Sequence, residues 1–222
     1  VGVDASVESD PDYYRHERPE MMRYVPKTAQ RVLELGCAEG RFAAAIKRRT
    51  GGEVWGIEFN PVAAAQAAAG IDRVLVGDAD EQIAQLPDNH FDAIVCNDVL
   101  EHLVNPGTTL ATLRSKLKSN GVVIASIPNI RYLPALSQIV FRKDFPQHEF
   151  GIFDRTHLRF FTKKSIIRLF EEAGYKVQRI KGINGYSGSP LGLLFIPLSL
   201  GFFADGFHLQ FACVASPDPS SH

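Results

Sequence analysis

Short apolar runs at Arg31–Leu35, Glu53–Glu58, Arg73–Val76, Phe91–Asn97 and Val122–Ile127 alternate with longer stretches whose apolar residues recur at helical spacing. Each run is too short for a helix and too uniformly apolar for a strand with one wet face, so buried parallel strands are expected. Asn60-Pro61 and Asn105-Pro106 each read as an N-cap followed by proline at the first helical position, with Gly70 and Gly121 as the matching stops. Leu110, Leu113 and Leu117 fall on one face of the second of these helices. Thr162 caps a third helix that turns Ile166, Leu169 and Phe170 inward and stops at Gly174. Strand and helix in this alternation give an α/β fold, a mostly parallel sheet covered on both faces. Tyr175–Lys181 and His208–Val214 read as a closing antiparallel edge hairpin around a long apolar insertion, 182–206. Residues 1–28 read as a frayed terminus and one helix lying over the site, ahead of a single domain at 29–222.

The chemistry concentrates where strands end. Glu34-Leu35-Gly36-Cys37-Ala38-Glu39-Gly40 brackets a tight turn with two glycines directly after the first strand, a ligand site in an open α/β sheet. Glu34, Glu58 and Asp78 lie at or near the ends of three consecutive strands. A carboxylate ending the second strand can accept from ribose hydroxyls, and one after the third can accept from a purine amine. Acids there can also cap the helices that follow. A dinucleotide turn needs a middle glycine beside its pyrophosphate, whereas this turn has Ala38 and a further acid, Glu39. No phosphate-binding G-x-x-x-x-G-K-[ST] loop occurs. A nucleoside with a cationic tail therefore fits better than a diphosphate.

These motifs resemble those of class I S-adenosylmethionine-dependent methyltransferases. Glu34 to Gly40 is similar to their first motif, and Glu58, Gly77-Asp78-Ala79 and Phe91 to Asn97 match the next landmarks in order. Val99-Leu100-Glu101-His102-Leu103 resembles the ubiquinone-biosynthesis O-methyltransferase branch. Ser126 to Asn129 and Asp154 to Thr162 resemble a bacterial subgroup associated with glycans and secondary metabolites. The resemblance implies a Rossmann-like seven-stranded sheet and S-adenosyl-L-methionine as cofactor, with S-adenosyl-L-homocysteine as product. It places Gly36, Cys37, Ala38 and Gly40 along the methionine part, and Glu34 on the ammonium. Glu58 and Phe59 would lie at the ribose, Asp78 and Ala79 at the adenine edge, and Asn97, Asp98 and Val99 below the sulfonium.

Methyl transfer to a hydroxyl needs alignment, exclusion of water and removal of one proton. His102 is the first candidate base, following the fourth strand, and His157 the second. Tyr14, Arg18, Asn129, Arg155 and Arg159 are candidate acceptor contacts. Arg155, Arg159, Lys163, Lys164 and Arg168 make either a solvated basic face or a wall selecting an anionic acceptor. Asp98, Glu101 and His102 resemble the metal cluster of some ubiquinone O-methyltransferases, but neighbours on a helix diverge, so no metal is expected. The acceptor is expected to be a small molecule carrying a sugar, quinone-like or secondary-metabolite hydroxyl. N- or C-methylation, a nicotinamide-dependent oxidoreductase and a non-catalytic cofactor-binding relative remain as alternatives.

Composition adds exclusions. With 24 Lys+Arg against 25 Asp+Glu the formal net charge is −1, which gives no global attraction to nucleic acid or to an anionic membrane. Cys37, Cys96 and Cys213 lie far apart without metal-type spacing, so reduced thiols and a cytoplasmic setting are expected. No signal peptide is visible. The Leu191–Phe203 run is broken by Pro197, so stable membrane insertion is not expected. The loop Gly188–Phe203 is read as core or a homodimer contact, with a greasy acceptor or a lipid surface as the rarer uses.

Overall fold

In the computed structural model, residues 17–185 and 204–220 are described. Tyr14 and most of the apolar insertion lie outside them. Seven strands form one sheet: β1 Arg31–Leu35, β2 Glu53–Glu58, β3 Arg73–Val76, β4 Phe91–Asn97, β5 Leu117–Pro128, β6 Tyr175–Gly185 and β7 His208–Pro217. Their order is β3-β2-β1-β4-β5-β7-β6. β1 to β5 pair in parallel, and β7 is antiparallel to both β5 and β6. The expected mostly parallel sheet with an antiparallel C-terminal edge is thus present, and the first four strands match the expected limits.

The helices are α1 Pro19–Met22, α2 Arg41–Thr50, α3 Pro61–Ala67, α4 Ala79–Ala84, α5 Pro106–Lys116, α6 Leu133–Val140 and α7 Lys163–Glu172. Side chains alternate across the strands: Leu33, Leu35, Ile94 and Cys96 join Ile83, Leu110, Leu113, Ile166 and Phe170 on one face. Val32, Ala93 and Val95 join Met21, Phe42, Ala43, Ile46 and Ala67 on the other. Burial of each large apolar side chain contributes about 1.5–3 kcal/mol, so both helical layers are held by the sheet's central strands. Among the described residues no helix is long and apolar enough to cross a membrane. The three cysteines are free and buried.

Several local expectations are corrected. Asn60 caps α3, accepting from Val62 N and Ala63 N, but α3 ends at Ala67 and Gly70 closes the turn beyond it. Asn105 makes no side-chain cap; only its carbonyl accepts, from Thr109 N. α5 gives way directly to β5 at Leu117, and Gly121 lies inside that strand, where a Cβ would come within 2.9 Å of the Phe91 carbonyl. Thr162 does cap α7, in a reciprocal box with Ser165. α6 has no counterpart in the expected element list.

Candidate functional site

Parallel pairing of β3, β2, β1 and β4 brings their carboxyl ends to one edge, with Glu34 opposite Gly56 and Glu58 opposite Val76. The first turn sits at that edge. Gly36 N and Cys37 N both donate to the Ile57 carbonyl, at 2.8 and 3.1 Å, which ties the turn to β2. Gly36 adopts φ 67°, and a Cβ there would meet Val99 Cγ2 at 2.6 Å. Gly40, at φ 77°, caps α2 with its backbone against Ala67, whose Cα would stand 2.8 Å from an added Cβ. Both glycines are thus required by the turn itself. Ala38 also has positive φ, 47°, and its N–H donates to Glu58 Oε2 at 2.8 Å. Glu58 Oε1 accepts from Asn60 N at 2.8 Å. Each Glu58 oxygen keeps a further lone pair for a ligand hydroxyl.

Glu34 is the most unusual member. It is 3% exposed, and its Oε1 accepts from Asn97 Nδ2 at 3.4 Å. Among the described residues its other oxygen, Oε2, has no partner, and neither has Asn97 Oδ1. Burial raises the Glu34 carboxyl to about 8, against the opposing hydrogen bonds of Asn97 and the Ala43 backbone and the Arg18 charge. Two buried acceptors without a donor mark a place for a cationic donor group. Burial, reinforced by the charges of Glu34 and Glu58, pushes the Cys37 thiol far above its ordinary range, so Cys37 packs as a neutral wall.

Asp78 is exposed and caps α4, accepting from Asp80 N at 2.9 Å, with Ala79 as the first helical residue. The helix-capping use of this acid is therefore realised; its free oxygen stays open to solvent. Phe59 is 65% exposed at the end of β2, an aromatic surface on the rim.

Beyond β4 the chain builds a second, polar cluster. Asp98 adopts φ 52° and is held by three partners: the Arg18 guanidinium, Ser126 Oγ at 2.8 Å and Gln210 Nε2 at 2.8 Å. Burial alone would lower the Arg18 pKa; the Asp98 charge and hydrogen bond more than reverse it, so the guanidinium stays charged. Arg18, expected to face an acceptor, instead straps the N-terminal segment over the strand ends. Gln210 carried no signal in the sequence, because β5–β7 pairing alone brings it opposite Pro128, and Ser126 stood out only as the first residue of the Ser126–Asn129 motif.

The catalytic candidates do meet. Leu100–His102 forms a 3-10 turn, and the rings of His102 and His157 lie 4.7 Å apart. His157 Nδ1 faces the Ile152 carbonyl at 3.1 Å, and His157 Nε2 stands 3.9 Å from Glu101 Oε1. Glu101 is 1% exposed, and among the described residues neither carboxylate oxygen has a hydrogen-bond partner. Burial, then the Asp98 charge, holds its carboxyl well above the usual range. Burial and His157 lower the His102 pKa. The expectation that Glu101 and His102 diverge fails: a 3-10 turn replaces the helix, and ligand atoms of Glu101, His102 and His157 all lie within 4.8 Å of one another. A cavity of about 50 Å³ is lined by Asp98, Glu101, Asp154, His157 and Gln210.

The remaining acceptor candidates stand apart from this cavity. Asn129 is fully buried, its amide donating to the carbonyls of Asp205 and His208 and accepting from Arg131 N. That makes it a positioning residue for the β5 exit and not a surface a ligand could touch. Arg155 pairs with Glu149 at 2.6 Å, and Arg159 donates to the Val104 carbonyl at 2.6 Å, both exposed.

Comparison with known proteins agrees with this geometry. The family described as "Methyltransferase domain" matches residues 8–180. The ubiquinone biosynthesis O-methyltransferase of Aeromonas salmonicida is 26% identical over 161 residues, covering 70% of this chain and 66% of that protein. The mitochondrial ubiquinone biosynthesis O-methyltransferase of Schizosaccharomyces pombe is 31% identical over 106 residues, covering 45% and 38%. The chain thus spans less than two thirds of the length of these curated relatives. Among solved structures, a SAM dependent methyltransferase from Archaeoglobus fulgidus superposes with a TM-score of 0.65 at 21% identity, covering 88% of this chain and 90% of that one. One from Aquifex aeolicus gives 0.61 at 17% identity, covering 93% of each. With its glycine turn, its acid-tipped strands and this matched span, the chain belongs to the methyltransferase domain family.

Proposed function

We propose that this protein transfers a methyl group from S-adenosyl-L-methionine to a hydroxyl of a small-molecule acceptor. The unpartnered acceptors Glu34 Oε2 and Asn97 Oδ1 carry the reading, because an ammonium supplies the donors both lack. In this reading Gly36 to Gly40 line the methionine portion, Glu58 receives the ribose hydroxyls, and Asp78 and Ala79 border the adenine. Arg18 lies near enough to act on Glu34 electrostatically and offers a counter-charge for the ligand's carboxylate. The cofactor supplies an activated methyl on a sulfonium. The chain has to hold the acceptor oxygen in line with it, keep water out and guide the proton away. Bound beside Glu34 and Glu58, the cofactor would supply the methyl from its sulfonium, and the Glu101–His102–His157 cluster would face the acceptor hydroxyl and favour loss of its proton. Similarity to two ubiquinone biosynthesis O-methyltransferases favours oxygen as the methylated atom.

Calorimetry with S-adenosylhomocysteine tests this directly: one site per chain is expected, weakened by Glu34→Gln. A folded protein that gives no heat with it, or that binds NADH instead, overturns the reading.

A further inference from the structure

Glu101, His102 and His157 have a capacity that proton removal alone leaves unexplained. We propose that these three side chains bind one divalent first-row transition ion, in a two-imidazole, one-carboxylate set that excludes the neighbouring Asp98. Metal binding stands on its own geometry; the ion's role in acidifying an acceptor hydroxyl rests on the methyl-transfer reading above.

Each imidazole is already oriented as a ligand. Thr156 Oγ1 donates to Asp154 Oδ1 at 2.6 Å, so toward His102 Nδ1, 3.0 Å away, its oxygen accepts. His102 Nδ1 therefore carries the proton, within 3.3 Å of the Thr156 carbonyl as well, and Nε2 keeps its lone pair. His157 repeats the device with the Ile152 carbonyl on Nδ1. A ring nitrogen anchored to a backbone carbonyl, with the other left free, is how metal-ligating histidines are held in the right tautomer and orientation. One segment, Ile152 to His157, supplies both anchors and one of the rings.

The carboxylate completes the set. Glu101 is buried, both of its oxygens lack a hydrogen-bond donor among the described residues, and it borders the small cavity with His157. Its 3.9 Å separation from His157 Nε2 is too long for a hydrogen bond. Ligands on an ion with bonds of about 2.0–2.2 Å stand roughly 3–3.5 Å apart, so side-chain rotation has little distance to close. Asp98 borders the same cavity, but its carboxylate oxygens are already engaged by Arg18, Ser126 and Gln210. Two nitrogens and one oxygen favour zinc, iron, cobalt or manganese over magnesium or calcium. Three protein ligands also leave coordination positions open to an acceptor oxygen, where the ion would lower that hydroxyl's pKa.

The experiment uses the untagged full chain, stripped by chelator. Zn2+ is titrated by calorimetry and Co2+ by visible absorption, with Mg2+ as competitor. One ion per chain is expected, undisplaced by millimolar Mg2+, with Glu101→Gln and His157→Asn each weakening it at least about tenfold. Asp98→Asn should leave the Co2+ spectrum unchanged. Far-UV circular dichroism confirms that each variant folds, and Glu101→Gln, being isosteric, keeps the test informative if His157→Asn does not. Absence of stoichiometric binding, or binding by folded His157→Asn as tight as the parent's, overturns the proposal. S-adenosylhomocysteine titrated into the same samples separates the two readings. Cofactor binding without the ion sinks this inference alone, and the ion without the cofactor sinks the methyl-donor reading alone.

Discussion

The two halves of the site are built in different ways. On the cofactor side the chain folds back on itself within one strand–helix–strand unit: Ala38 N reaches Glu58 across only 20 residues of sequence. On the acceptor side, Asp98 meets Gln210 across 112 residues, and His102 meets Thr156 across 54. The first half is a property of a local backbone motif. The second exists only once the whole sheet has formed, so substitutions should separate the two cleanly.

The largest separation is expected at His157. His157→Asn keeps a donor for the Ile152 carbonyl but removes the Nε2 lone pair. Turnover on an acceptor found in a catechol and sugar panel should fall about 10²–10⁴-fold, while S-adenosylhomocysteine affinity stays within about twofold. A variant that loses both equally would show that the halves are one unit. Next comes Gly40→Val on the other side, where the added Cβ meets Ala67 backbone at positive φ. It should cost about 3 kcal/mol or more in urea unfolding and reduce cofactor binding through lost structure.

That contrast also explains what could be read in advance. β1 to β4 matched residue for residue because buried parallel strands are continuous apolar runs, and Asn60 or Thr162 announces a helix through its own side chain. Glu34 and Glu58 were legible because the acid follows the run directly. Arg18 was named, but for the wrong partner: nothing near it signals Asp98, Ser126 or Gln210, which arrive through β4, β5 and β7. The convergence of Glu101 with His102 was hidden by assuming an α-helix where the chain makes a 3-10 turn. Asn129 looked like a surface ligand because its sequence context says nothing of the Asp205 and His208 carbonyls that bury it.

Glu34→Gln sharpens the comparison on the cofactor side. Loss of one charge-assisted contact should weaken S-adenosylhomocysteine by about 10- to 100-fold, or roughly 1.5–3 kcal/mol. The pH dependence carries the same information. Folded Glu34 keeps its proton up to about 8, against 4.5 for the ordinary carboxyl. Its contribution to stability is therefore fully present below pH 4.5 and is lost as pH rises through 8, by up to a few kcal/mol in the limit. Glu34→Gln should accordingly stabilise the ligand-free protein at pH 8.5 and change it little at pH 4. An ammonium beside Glu34 must displace that proton, so parent affinity should climb from pH 6 to 7.5 with proton release, and the Gln variant should stay flat. Equal pH profiles for the two proteins would remove Glu34 from the ammonium site.

The smallest effect is expected at Ala38, and it tests whether the turn is set by its backbone alone. At φ 47° an L-residue is strained by about 1–2 kcal/mol, which glycine relieves. Glycine also adds freedom to the unfolded chain, returning about 0.4–1 kcal/mol of that gain. The Ala38 N–H to Glu58 bond is a main-chain contact and survives the exchange. Ala38→Gly should therefore raise the urea midpoint by the equivalent of about 1 kcal/mol or less, with an unchanged slope, and alter S-adenosylhomocysteine affinity by under about threefold. A clear loss of stability would mean that the Ala38 methyl makes a packing contact worth more than the strain it imposes. The cofactor half would then depend on side-chain fit as the acceptor half does, and the distinction between them would fail at the residue where it is easiest to see.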